Sequence, residues 1–153
     1  LIAAGGSPPR AEAAMAAAGA LLRAGGFAVK VETAGIAHSH DAWLKMVQNR
    51  YLFSAHTAFV IYVTGDQIYS CGMHNLGLRD AIIAANAATN PVELLRDFTC
   101  YLFRENPIIR AGETFSVAPH APVYRLSEER CDLYDGEPLF TNPYGMWRLQ
   151  KKE

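Results

Sequence analysis

The sequence carries no excess of charge of either sign. Fourteen Lys and Arg stand against fifteen Asp and Glu in 153 residues, for a formal net charge of -1. The cations are scattered singly instead of lying along one segment. A nucleic-acid surface needs clustered cations to displace phosphate counterions, so no nucleic-acid partner is expected. Arg148, Lys151 and Lys152 gather near the C-terminus and read as a solvated tail. Long apolar runs are missing as well. Pro8, Pro9, Arg10, Glu12 and Arg23 interrupt the alanine-rich opening, and no stretch reaches the roughly 20 apolar residues that a membrane helix needs. No membrane association is expected.

Cysteine is scarce and odd in number: Cys71, Cys100 and Cys131. A disulfide framework is therefore not expected, and a reducing compartment, the cytoplasm, fits best. The chain begins at Leu1 instead of Met, which reads as a trimmed or partial sequence from which any targeting segment could have been removed. Catalytic signatures are lacking too. The glycines of "AAGGSPPR" (3–10) have neither the Gly-x-x-x-x-Gly-Lys nor the Gly-x-Gly-x-x-Gly spacing, and no Gly-x-Ser-x-Gly or His-Glu-x-x-His occurs.

What is present is the balance of a packed domain. Hydrophobic residues make up 50% and charged residues 19% of the chain, enough for one core that buries roughly 70% of the unfolded surface. Ser7-Pro8-Pro9 predicts a helix start, with Met15, Ala18 and Leu22 on one face and Gly25-Gly26 as its stop. Phe27, Val29 and Val31 alternate as in a half-exposed strand. Ser39 or Asp41 caps a second helix carrying Trp43, Met46, Val47 and Tyr51. "TAFVIYVT" (57–64) predicts a central strand covered on both faces, and Gly65-Asp66, with a glycine at positive φ, returns it as a hairpin through Ser70.

Residues 81–85 fit either a short strand or a helix. Asn90-Pro91-Val92-Glu93 then starts a helix striped by Leu94, Leu95, Phe98, Tyr101 and Leu102, and Asn106-Pro107 ends it. Beyond it, 114–117 and 123–126 read as strands, Asp135-Gly136 and Asn142-Pro143 as turns, and 146–149 as a last edge strand. Glu128-Glu129, beside Arg130, reads as surface loop. The expectation is one α+β domain over residues 1–153, its mixed or mainly antiparallel sheet packed with about three helices.

"YSCGMHNLGL" (69–78) sets a thiol and an imidazole three residues apart at the hairpin exit. Zinc sites use four Cys or His ligands, often as two close pairs; Cys71-x-x-His74 is one pair and His38-x-His40 a possible second, with His56 and His120 isolated. A Cys/His nucleophile needs a base within reach and a third group to orient it, for which Asn75 and Asp80 are near in sequence. The plainer reading is a sharp turn: Gly72 and Gly77 bend the backbone, Met73, Leu76 and Leu78 lie beneath it, and His74 and Asn75 project as contacts for a partner or ligand. No metal or other cofactor is assigned. Aromatics in loop-like contexts, Tyr51, Phe53, Tyr134, Phe140, Tyr144 and Trp147, are of the kind that interfaces use as anchors.

Gly72-Met73, Leu76-Gly77-Leu78 and Asp80, the helix "PVELLRDFTCYLFRENP" (91–107) and "IIRAGETF" (108–115) together resemble the bacterial domain of unknown function 4261 family, over about residues 68–126. Arg79 stands where that pattern has proline, and Ala111-Gly112-Glu113 where it has Asp-Gly-Asp. The resemblance implies a bacterial, soluble, cytoplasmic accessory domain and by itself carries over no catalytic activity. The leading expectation is thus a non-catalytic protein-binding module of the immunity or regulatory kind, with His74, Asn75, Tyr134, Tyr144 and Trp147 as binding residues and another protein as partner. Its alternatives are a small hydrolase-like or metal-binding protein centred on Cys71 and His74, and a small-molecule sensor.

Overall fold

The computed structural model describes residues 5–49, 53–134 and 137–152. The chain opens with α1 (Pro8–Arg23), β1 (Ala28–Val31), β2 (Ile36–Ser39), α2 (His40–Asn49) and α3 (Ser54–Phe59). It continues through β3 (Ile61–Val63), β4 (Gln67–Cys71), a 3-10 turn (Met73–Leu76), β5 (Asp80–Ala84) and α4 (Pro91–Glu105). The closing strands are β6 (Thr114–Phe115), β7 (Tyr124–Glu129) and β8 (Met146–Lys151). Among the described residues, six strands form one mixed sheet in the order β3-β4-β5-β8-β7-β6, and β1 and β2 pair apart from it. The fold is α+β, with four α-helices among the described residues where about three are expected from the sequence.

Local chemistry explains the helices. Asn90 accepts from the Glu93 amide at 3.2 Å while its side-chain amide donates to the Glu93 carboxylate at 2.8 Å, a reciprocal cap that fixes the start of α4. Ser39 Oγ accepts from the Ala42 amide at 3.3 Å and caps α2. Ser7 precedes α1, but its side chain makes no capping bond; the prolines alone mark that start. On α1, Ala11, Met15, Gly19 and Leu22 turn inward, and the missing side chain at Gly19 brings α2 close, since a Cβ there would sit 3.4 Å from Val47. The Trp43 indole donates to the Met15 carbonyl at 3.1 Å and packs edge-on against Phe59.

Several sequence expectations are corrected. Residues 57–64 do not form a central strand: α3 takes up Ser54–Phe59, burying Ala55, His56, Ala58 and Phe59, and only Ile61–Val63 is strand, at the sheet edge. A short run that is apolar all round is equally well buried as a helix or a strand, so periodicity could not separate them. The centre of the sheet belongs instead to β5 and to β8, the latter expected at an edge. These two pair in parallel, Asp80 with Met146 through Ile83 with Leu149, while every other pairing is antiparallel.

Glu128 and Glu129 lie in β7, not in a loop. Gly65 closes the β3–β4 hairpin without a positive φ. Phe27 is 93% exposed and stands before β1 instead of alternating within it. Tyr51 and the Asp135-Gly136 turn lie outside the described residues.

Candidate functional site

The hairpin-exit motif is a turn, and its glycines are the reason. Gly72 (φ 115°) leaves β4 in the left-handed region, where a Cβ would overlap the Phe59 carbonyl oxygen; Gly77 (φ 76°) closes the turn beneath the backbone of Gly6. The strap at Gly6 donates to the Asn75 carbonyl at 2.8 Å and holds the turn down. Met73 and Leu76 are buried, as expected.

His74 and Asn75, however, do not project into solvent. Asn75 is buried, accepting from Thr33 Oγ1 at 2.8 Å and donating to the Gly72 carbonyl at 3.0 Å. His74 lies inward with Nδ1 at 4.0 Å from Asp80 Oδ2, and neither ring nitrogen has a hydrogen-bond partner among the described residues.

The organiser of this region is Asp80, whose side chain is buried at the start of β5. Its Oδ1 accepts from Ser70 Oγ at 2.7 Å and from the Met73 amide at 3.2 Å, and its Oδ2 accepts from Asn142 Nδ2 at 2.6 Å. Ser70 Oγ in turn accepts from the Ala81 amide, and Asn142 Oδ1 from the Tyr144 amide. One carboxylate thus ties β4, the turn, β5 and the loop before β8 together, and each oxygen that it buries is satisfied. This is an architectural use of Asp80.

Among the described residues no hydrogen bond joins Cys71 to His74. The thiol leans 4.0 Å from the Thr33 carbonyl, and burial pushes it up to about 11 from 9.0, so it stays protonated at neutral pH. His38 Nε2 donates to the Ala58 carbonyl at 2.9 Å, His40 pairs with Asp41, and His120 is exposed in a turn. Among the described residues no three His, Cys, Asp or Glu side chains converge to hold a metal ion.

A Cys/His pair does exist, one that sequence reasoning missed because its members come from α3 and α4. Cys100 Sγ lies 3.9 Å from His56 Nδ1, while His56 Nε2 meets Thr99 Oγ1 at 3.0 Å and Tyr62 Oη meets the same oxygen at 2.6 Å. Thr99 spends its own proton on the Leu95 carbonyl at 2.9 Å, so it accepts from both His56 and Tyr62. That fixes the neutral imidazole with Nδ1 bare toward the thiol. Burial, reinforced by Arg96 and opposed by Asp80, lowers His56 to about 4 from 6.5. Burial and Asp97 raise Cys100. Both shifts oppose a thiolate–imidazolium pair, and the resting chemistry is that of a satisfied core network.

The aromatic candidates separate. Trp147 is 6% exposed, lying in β8 beneath the Arg79 guanidinium at 4.9 Å from its ring; it is a core residue and not a loop anchor. Tyr134 packs edge-on against Tyr69 and beside Phe140, closing the far face of the sheet over Ile82, Cys131 and Met146. Tyr144 is the one of the three that is exposed, at 44%.

A groove of about 630 Å³ lies elsewhere, between α4 and the β6 edge. Asp97, Tyr101 and Arg104, at i, i+4 and i+7 of α4, form one wall, with Phe115 of β6 and the segment from Pro107 to Ile109 opposite. Phe115 stacks edge-on against Phe98 at 4.9 Å and tilts against Tyr101 at 5.7 Å, giving the groove an aromatic floor. Ile108 stands 90% exposed at its mouth, and Val117 49%. The helical spacing of 97, 101 and 104 was readable in advance, but only the sheet order shows what they face. Comparison with models of protein families, with curated proteins and with solved structures finds no match to this chain.

Proposed function

We propose that this chain is a non-catalytic protein-binding module, an accessory or regulatory domain of the immunity kind, that engages another protein through the groove between α4 and β6. The observation that carries the reading is the groove itself: an aromatic floor at Tyr101 and Phe115, backed by the buried Phe98, two exposed aliphatic side chains at its rim, and a sheet edge alongside. Isolated apolar exposure such as that of Phe27 is ordinary on a protein surface, whereas apolar side chains grouped around a concavity supply the anchor pockets of interfaces. A net charge of -1 suits a protein partner. The resemblance of residues 68–126 to the 4261 family belongs to the same proposal, as does a cytoplasmic, bacterial setting. An enzymatic role gains no support from Cys71 or Cys100, whose thiols are both held protonated.

Site-specific photocrosslinking tests the reading. A photoreactive side chain at Ile108, irradiated in the source cells, is expected to give a defined adduct with one protein, and the same group at Phe27 is expected to give none. Equal adducts at both positions, or no adduct at Ile108, removes the groove from consideration.

A further inference from the structure

The groove carries chemistry that narrows what its occupant can be, granted that it is a protein-binding surface. β6 ends the strand order and pairs only with β7, so its outer edge is unpaired among the described residues. Such an edge presents backbone donors and acceptors to any extended chain laid beside it. Phe115 and Tyr124 face each other across the β6–β7 register and turn toward the α4 side, where Phe98 meets Phe115. An added strand would place alternate side chains over this same aromatic floor.

The charges of the groove are unequal in their pairing. Arg104 is already engaged, its guanidinium 2.6 Å from the Glu105 carboxylate. Glu113 receives only the Arg110 amide, at 3.0 Å. Asp97 makes no hydrogen bond and no ion pair among the described residues. Partial desolvation and its neighbour Glu93 raise the Asp97 carboxyl, with Arg96 opposing, so its charged form gains from an added cation. The uncompensated charge of the cavity is therefore negative.

We propose that the occupant is an extended, basic segment of a partner protein that adds to the free edge of β6 as a seventh strand, seats an apolar side chain over Tyr101 and Phe115, and presents a Lys or Arg to Asp97. Backbone pairing and the apolar anchor supply affinity. The exposed ion pair adds little by itself and acts by selection, since an acidic segment meets like charge at Asp97 and Glu113.

Two synthetic decapeptides test this, one of alternating Arg and Val and one of alternating Glu and Val, titrated into the full chain by amide chemical-shift mapping. The Arg/Val peptide is expected to bind with shifts confined to α4 and residues 107–117, and the Glu/Val peptide to leave them unmoved. Asp97→Lys, a change at an exposed side chain that bonds to nothing, is expected to weaken binding about tenfold with the circular dichroism spectrum unchanged. Ile108→Glu separates the two levels of the argument. If it abolishes partner crosslinking from a photoreactive group placed instead at Val117, which also lines the groove, while Asp97→Lys does not alter peptide binding, the groove stands and the basic strand is refuted. Shifts elsewhere, equal binding of both peptides, or no binding of the Arg/Val peptide also overturns the proposal.

Discussion

Asn142 Nδ2 meets Asp80 Oδ2 at 2.6 Å across 62 positions of sequence, and the same amide reaches the Leu78 carbonyl at 3.0 Å. Both side chains are buried, at 2% and 1% exposure. The loop before β8 is thereby fastened to the start of β5, where the one parallel strand pairing of the sheet begins.

Asn142→Ala should remove this tie and leave a buried carboxylate oxygen unsatisfied. The expected loss is about 2–3 kcal/mol, because the other carboxylate bonds remain while the desolvation penalty is exposed. Urea denaturation followed by tryptophan fluorescence measures it. A midpoint unchanged from the wild type would show that the network contributes nothing to stability.

His56 should make the fold sensitive to acid. Its imidazole is lowered to about 4 in the folded chain from an ordinary 6.5, by burial first and then by Arg96. The unfolded state therefore binds more protons below pH 6.5, so stability is fully present above that value and falls as pH drops toward 4. At about 1.4 kcal/mol per pH unit, the loss is roughly 3 kcal/mol. Unfolding free energies measured from pH 7.5 to 4 should show this slope, and His56→Gln should flatten it. An identical slope in the variant would assign the acid sensitivity to other groups.

Gly72→Ala should prevent folding or cost more than about 4 kcal/mol, because the position combines a φ of 115° with an overlap against the Phe59 carbonyl. Gly112→Ala is the control. It also has positive φ (92°), but its nearest neighbour would be the flexible end of Arg125 at 3.6 Å, so a cost of about 1 kcal/mol is expected. Thermal melts of the two proteins should differ accordingly; similar melting temperatures would contradict the close approach of α3 to the turn.

Among the three cysteines, Cys100 should react first with iodoacetamide, and slowly. It is half-exposed, while Cys71 and Cys131 are buried. Its thiol is raised by desolvation and by Asp97, which keeps the reactive thiolate scarce at neutral pH. Peptide mapping by mass spectrometry over a pH series should show labelling at Cys100 that climbs in the alkaline range. Rapid labelling at pH 7 would contradict the neutral pairing with His56.

Much of this fold is legible in the order of residues, because the signals are local. The reciprocal cap of Asn90 with Glu93, the stripe from Leu94 to Leu102, the pair Gly72 and Gly77, and the return of β4 on β3 depend on neighbours a few positions away. The failures are equally specific. Residues 54–59 are apolar enough for either regular structure, and they become helix because α3 must bring His56 and Phe59 against α4 and Trp43. His74 and Asn75 read as exposed polar turn residues, yet the chain at Gly6 and the carboxylate of Asp80 cover them.

The sequence alone determined the α+β class, the placement of α1, α2 and α4, and the sharp turn after β4, since caps, periodicity and left-handed glycines act over one or two turns of chain. Tertiary structure decided that β8 enters the middle of the sheet beside β5, that Trp147 is core, that His56 meets Cys100, and that α4 and β6 enclose a groove. Each of these depends on segments tens of residues apart meeting in one register. That choice is made by the shared burial of apolar surface and by the pairing of buried polar groups, which no local pattern records.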